Sequence, residues 1–292
     1  MKKIILITGA SSGFGRDTAL TLAREGHTVY ASMRESAGRN RDKAASLAAE
    51  ADKEKLPLKI IELDVTSTDS VNLAVAGMVA ETGRIDVLFN NAGYATGGVS
   101  EGFTDAQVTK QFDVNVVGIQ RMMRAVLPHM RKQKDGLVIN VSSILGRVTF
   151  PFFGFYGASK FAVEALTESY RYELSQLGVD VVMVQPSAYP TNMYNSAQFP
   201  SDTARTGEYG ATGEIPGAII NHLMTVFGGA DAPKPHDVAQ TISKLVAQPK
   251  GKRPARTVVG ADFGSLLVNQ QTEPVQAGVV KALGLEHLAR VI

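Results

Sequence analysis

Ser143 through Lys160 of this 292-residue chain reads Ser-Ile-Leu-Gly-Arg-Val-Thr-Phe-Pro-Phe-Phe-Gly-Phe-Tyr-Gly-Ala-Ser-Lys, and it contains the parts of a proton-transfer device. Tyr156 and Lys160 stand four residues apart in a helical pattern (Phe161, Ala162, Ala165, Leu166, Ser169, Tyr170) that follows Pro151 and Gly154, so they share one helix face. A free phenol, with a pKa of about 10, is a reluctant acid or base at neutral pH. A nearby ammonium and the positive end of the helix both favour its ionised form, and about 4 kcal/mol of such interaction would bring it near neutrality. Ser143 follows the apolar run Leu137-Val138-Ile139-Asn140-Val141, which puts its hydroxyl at the end of a buried strand, where α/β sheets present reacting groups. Singly, the Tyr reads as packing, the Lys as a solvated charge and the Ser as a turn former; jointly, they read as chemistry.

The elements that must position these groups begin with Lys3 to Thr8, a short apolar run expected of a parallel strand buried on both faces. Gly9-Ala-Ser11-Ser12-Gly13-Phe14-Gly15 follows at once. Glycines here permit a tight turn and let backbone N–H groups approach a pyrophosphate lying on the N-terminus of the next helix, which ends near Gly26. His27 to Ser32 reads as a second strand, Arg39 to Glu54 as a charged helix, Leu58 to Leu63 as a third strand ending in Asp64-Val65, and Ser67 to Thr82 as an amphipathic helix. Ile85 to Asn90 is a fourth strand, closing in Asn90-Asn91-Ala92-Gly93. A long helix spans about Asp105 to Lys132, with Asn115 among apolar neighbours, where a buried amide needs partners. After the Ser143 to Lys160 stretch come a strand at Val179 to Gln185, the segment Pro186-Ser-Ala-Tyr-Pro-Thr191, a Gly-, Pro-, Ser- and Thr-rich stretch over about 192–235, a helix from Pro235 to Val246, and a strand at Arg256 to Gly260. The remainder reads as short helices. Seven such units with right-handed crossovers imply a doubly wound parallel sheet, order 3-2-1-4-5-6-7, in a single α/β domain of the Rossmann type covering 1–292, with the stretch at 192–235 as a mobile lid over a substrate.

The Thr-Gly-x-x-x-Gly-x-Gly spacing, the Asn-Asn-Ala-Gly sequence and the Ser, then Tyr-x-x-x-Lys, resemble the classical short-chain dehydrogenase/reductase family over nearly the whole chain. The resemblance implies a catalytic set of Asn115, Ser143, Tyr156 and Lys160, in which the Asn kinks its helix and holds a water leading protons to the Lys. It implies a nicotinamide cofactor held by Gly9, Ser11, Ser12, Gly13, Phe14, Gly15, Arg34, Asp64, Val65, Asn91, Ala92, Gly93, Tyr156, Lys160, Pro186 and Thr191, with Asp64-Val65 at the adenine. Where the family has Pro-Gly-x-x-x-Thr this chain has Ser187, which would cost energy if that backbone needs a positive φ. NAD-specific relatives carry an acid at the end of the second strand; here Met33-Arg34 stands there, so NADP(H) is preferred and NAD(H) remains possible.

Composition bounds the rest. Hydrophobic residues make up 44% of the chain and the mean hydropathy is -0.01, the balance of a globular protein with a large core. No apolar run reaches the length of a membrane span, and the N-terminus enters a strand directly, so neither a membrane nor a leader is expected and the location is cytoplasmic. With no cysteine and five histidines without ligand spacing, no metal site is expected. Thirty basic against 28 acidic residues is too even for nucleic-acid binding, and the basic cluster Lys250 to Arg256 reads as a solvated loop. Relatives suggest a homodimer or homotetramer packed through the two long helices.

The expectation is therefore a small-molecule oxidoreductase moving hydride between NADP(H) and a ketone, aldehyde or secondary alcohol, a bulky apolar one because Phe150, Phe152, Phe153, Phe155, Tyr94, Tyr189, Met193 and Phe199 crowd the expected cleft. A non-catalytic nicotinamide-nucleotide redox sensor is the alternative, and the intact Ser, Tyr and Lys argue against it. An epimerase or dehydratase would use the same Tyr and Lys with a different glycine spacing.

Overall fold

Short strands rich in Ile, Val and Leu with both faces buried can only lie inside a layer, and the computed structural model, which describes residues 2–194 and 196–292, stacks them into one all-parallel sheet. The strands are β1 (Ile4–Ile7), β2 (Thr28–Met33), β3 (Leu58–Glu62), β4 (Val87–Asn90), β5 (Gly136–Val141), β6 (Val179–Pro186) and β7 (Arg256–Val259). Their order is β3-β2-β1-β4-β5-β6-β7, as the alternation of strand and helix predicted. The order reverses between β1 and β4, so their carboxyl ends diverge and leave a crevice.

Helices cover both faces. On one side α1 (Gly13–Arg24) packs with α9 (His236–Ala247), burying Leu20, Leu22, Val238 and Ile242 against β1 and β2. On the other, α3 (Thr68–Thr82), α5 (Gly118–Gln133) and α6 (Gly154–Ser175) bury Val71, Val75, Met122, Val126 and Val163. Each such side chain stabilises the fold by about 1.5 to 3 kcal/mol. On the same face as α1 lies α2 (Arg41–Lys53), tied to α1 by Arg16 and Arg24 against Glu50 and by Arg24 against Glu54.

Four expectations change. The helix foreseen over Asp105 to Lys132 is two, α4 (Asp105–Phe112) and α5, joined by a π turn at Asp113–Val117 that carries Asn115. Wide turns of this kind re-aim a side chain inside a helix. The stretch at 192–235 contains α7 (Thr203–Gly207) and α8 (Ala211–Phe227); its Gly and Pro content hid a 17-residue apolar helix that accommodates Pro216. The C-terminal segment forms the single helix α10 (Ser265–Ala282) instead of several short ones.

The basic cluster at 250–256 is the fourth. Arg253 is 7% exposed and pairs at 3.0 Å with Asp180, which is fully buried, while Arg256 pairs with Glu164 at 3.0 Å and Glu168 at 2.7 Å. Buried carboxylates recruit cations that composition alone assigns to solvent. Among the described residues no helix is long and apolar enough to cross a membrane.

Candidate active site

At the carboxyl edge of β1 the chain must reverse within a few residues into α1, and Gly9 makes the bend at φ +69°. A Cβ on Gly15 would stand 2.5 Å from both the Asn91 side-chain nitrogen and the Gly9 carbonyl, so only glycine lets α1 start this close to the strand ends. Asn91 fastens the bend: its side-chain amide donates to the carbonyls of Thr8 (2.9 Å) and Gly9 (3.1 Å), while the Thr8 hydroxyl accepts from the N–H groups of Asn91 and Ala92, each at 3.0 Å. Ser12 is the N-cap of α1 without using its hydroxyl on the helix, and the first turn holds no acid. Those N–H groups and the helix dipole are therefore open to an anion.

This loop borders a cleft of about 470 Å³. Gly9, Ser11, Ser12, Gly13, Phe14, Asp64, Val65, Asn91, Ala92, Gly93 and Thr191 all line it, as the sequence suggested. Gly15 lies beneath, a packing residue. At the end beyond β2 stand Arg34, Arg39 and Lys43. The turn there is tied down by the Glu62 carboxylate, which accepts from the Glu35 (2.6 Å) and Ser36 (2.7 Å) N–H groups, and by Asn40 donating to the Arg34 carbonyl at 2.8 Å. The sequence reading singled out Arg34 and passed over Arg39 and Lys43. The signal was available, as two further cations flank the start of the helix after Arg34. A polar cleft with a helix N-terminus at its middle and three cations at one end fits a phosphorylated dinucleotide.

A second, apolar cavity of about 130 Å³ joins the first at Phe14, Thr191 and Met193. Ser143 and Tyr156 face it, with Phe150, Phe153 and Tyr194, and with Ile219 and Leu223 of α8. Phe155 instead packs edge-on against Phe103, and Phe199 is exposed. Tyr194, Ile219, Leu223 and Phe263 were not foreseen as cavity residues.

Ser143 continues from β5, donating to the Pro186 carbonyl at 3.4 Å and accepting from the Leu145 N–H at 3.1 Å. The Lys160 ammonium donates to the Val141 carbonyl at 2.8 Å and lies 5.6 Å from the Tyr156 ring centre. Burial governs both groups. It pushes the Tyr156 phenol up to about 12, against the pull of its hydrogen bond with Ser143, and brings Lys160 down to about 8, against the charge of Glu164. The sequence reading expected the phenol to be lowered. Desolvation of a phenolate in an apolar cavity outweighs an ammonium that is itself desolvated.

Asn115 reaches the same helix. Its amide nitrogen donates to the Tyr94 carbonyl and to Ser159, both at 3.1 Å, and Ser159 donates to the Tyr156 carbonyl at 2.7 Å. Pro186 and Thr191 border the apolar cavity. Ser187 does not adopt a positive φ, and its N–H donates a ladder bond to the Val259 carbonyl at 2.9 Å, so the feared backbone cost is absent.

A family profile described as short chain dehydrogenase matches residues 3–200. The 3-ketodihydrosphingosine reductase of Bacteroides thetaiotaomicron is 40% identical over 207 residues, covering 71% of this chain and 71% of that protein. Retinol dehydrogenase 8 of Bos taurus is 33% identical over 282 residues, covering 93% and 86%. The solved structure of ElxO with NADP bound resembles this fold with a TM-score of 0.72 at 26% identity, covering 91% of this chain and 100% of that one.

Proposed function

The chain belongs to the short-chain dehydrogenase family and is an oxidoreductase of CH–OH and C=O groups, and from that premise we propose that it is NADP(H)-dependent and acts on a bulky, largely apolar ketone or aldehyde, or the matching secondary alcohol. The observation that carries this reading is the meeting of a polar cleft and an apolar cavity at Phe14, Thr191 and Met193, with Ser143 and Tyr156 facing the apolar side. The names of two relatives point the same way, since 3-ketodihydrosphingosine and retinol each join a long apolar part to a polar end.

In this reading the first turn of α1 and the loop from Gly9 take the pyrophosphate, Asp64 and Val65 border the adenine, and Arg34, with Arg39 and Lys43 beside it, takes a ribose phosphate. The ElxO structure with NADP supports that preference; NAD(H) is the weaker alternative. When bound, the cofactor supplies the hydride. Ser143 holds the substrate oxygen, and Tyr156 donates its hydroxyl proton to that oxygen as carbonyl becomes alcohol. Burial raises the phenol to about 12, so it stands as the protonated donor that reduction requires, and in the oxidising direction the same oxygen takes the proton back. Lys160, anchored on β5 and over the phenol ring, lines neither cavity, and is the residue that would reach a nicotinamide ribose from behind Tyr156. Asn115 orients the turn that carries Tyr156 through Ser159.

The reading includes one domain with α7 and α8 as the lid, a cytoplasmic setting, and assembly of two or four copies through the helices that expose Val117, Phe161 and Leu166. The deciding experiment follows NADPH and NADH oxidation spectrophotometrically over a panel of carbonyl compounds. Turnover of aryl, alicyclic or long-chain ketones with NADPH is expected. Activity confined to small charged keto acids would overturn the substrate class, and cofactor binding without any turnover would leave a sensor.

A further inference from the structure

The mechanism uses one phenol of the apolar cavity, but three line it; Tyr189 turns its hydroxyl toward Gly260, which leaves Tyr194. Tyr194, three residues beyond Thr191, lines the same space as Ser143 and Tyr156. Its ring lies 5.2 Å from that of Phe227, the last residue of α8, at an interplanar angle of 56°. The position of this phenol therefore depends on the helix that also contributes Ile219 and Leu223 to the cavity wall.

Burial raises the Tyr194 phenol well above its ordinary value, and the nearby Tyr156 phenol adds to the rise. Tyr194 is thus a neutral O–H donor wherever the enzyme works. A phenol that lines an apolar space gains most from a ligand that supplies an acceptor. Ile219, Leu223, Phe150 and Phe263 around it offer only apolar surface, so Tyr194 marks where the substrate is polar and they mark where it is not.

We propose that Tyr194 is a specificity-determining residue that donates a hydrogen bond to a second oxygen of the substrate, distinct from the oxygen held by Ser143 and Tyr156. The inference rests on the reading of the site as a carbonyl reductase and deepens it. The cavity, about 130 Å³, is small beside the several hundred Å³ of drug-sized sites, so both phenols act on one end of the ligand. The substrate class is a ketone carrying a hydroxyl or other acceptor oxygen within a few bonds of the reacting carbon, with an apolar tail that leaves past α8. A site built around such a donor discriminates against an analogue lacking the acceptor because the donor is then left unpaired.

The test compares a long-chain methyl ketone with the hydroxymethyl ketone of equal chain length, using NADPH and the full-length protein. The unmodified enzyme should favour the hydroxymethyl ketone in kcat/KM by about tenfold, and Tyr194→Phe should bring that ratio to about one, mainly through KM. Tyr194→Met, which keeps the apolar bulk, should erase the ratio equally, and NADPH binding followed by fluorescence reports that each variant is folded. A ratio that survives in both variants, or equal losses on both ketones, overturns the role of Tyr194 alone. Turnover of neither ketone by the unmodified protein overturns the carbonyl-reductase reading and this inference with it.

Discussion

The cleft at the ends of β1 to β4 and the apolar cavity beneath α8 share Phe14, Thr191 and Met193, yet they are built by different means. The middle of the cleft is made by backbone: a glycine bend, a helix N-terminus, and side chains such as Asn91 and Thr8 whose bonds go to main chain. The cavity is made by six separate stretches, around residues 14, 95, 141–156, 186–194, 219–223 and 263. Backbone geometry suits the pyrophosphate that NADP and NAD have in common. Side-chain walls can be exchanged without disturbing the sheet, which suits a substrate that differs from one relative to the next.

The sharpest way to separate the two regions is Tyr156→Phe. It removes the proton donor from the cavity side and leaves the cleft intact, so kcat should fall by about 10² to 10⁴ while NADPH affinity by fluorescence titration stays near that of the unmodified protein. Lys160→Met should weaken both. Residual turnover above about a tenth in the Phe variant would show that another group protonates the substrate.

Gly15→Ala attacks the other side. Its Cβ would press on the Asn91 amide and the Gly9 carbonyl, so the bend must open, at a cost of about 1 to 3 kcal/mol in stability and at least a tenfold loss in NADPH affinity. Chemical denaturation and cofactor titration check the pair. Normal affinity would mean that the bend does not hold the cofactor.

Cofactor choice is the next smaller effect. Met33→Asp with Arg34→Ser would put an acid at a residue that lines the cleft but is only 2% exposed and packs in the core, so it would first have to be desolvated. Arg34→Asp is the better change. It should shift the ratio of kcat/KM for NADPH over NADH by roughly ten- to a hundredfold toward NADH, with Arg39 and Lys43 retaining part of the phosphate affinity. An unchanged ratio would make Arg34 a bystander.

The smallest effect concerns pH. Lys160 titrates near about 8 in the folded protein against 10.5 for the free side chain, so between those values the unfolded chain holds a proton that the folded one has released. Stability without cofactor should therefore rise from about pH 8 to pH 10, by up to about 2 kcal/mol from this residue. Above pH 10 the sign reverses, because Tyr156, pushed up to about 12, keeps its proton in the fold while the unfolded chain loses it. Urea unfolding at pH 8 and pH 10 measures the slope, and Lys160→Met should flatten it; an equal slope in the variant would assign it to other groups.

What the sequence by itself determined lies in its short-range patterns. Apolar runs of four to eight residues alternating with amphipathic stretches imply parallel strands and crossover helices, and chirality then leaves one strand order. Ser143, Tyr156 and Lys160 were legible because a strand end and one helical turn bring them together locally. Gly9 to Gly15 was legible because a strand, glycines and a helix in succession have one common geometry.

Only the tertiary structure decided the features that depend on neighbours distant in sequence. Desolvation is one: Tyr156 and Lys160 have the expected spacing, yet walls contributed by Ile144, Met193 and Tyr194 reverse the expected direction for the phenol. The partners of Arg253 and Arg256 are another, since Asp180 and Glu164 are buried by a sheet that the sequence of 250–256 does not reveal. α8 and α10 run on through Pro216 and Pro274 although burial in them is limited to Pro216, Ser265 and Val280, so a proline by itself did not mark a helix end. Local backbone patterns are written within a few residues, whereas burial, and with it the electrostatics of the site, is a property of the whole folded chain.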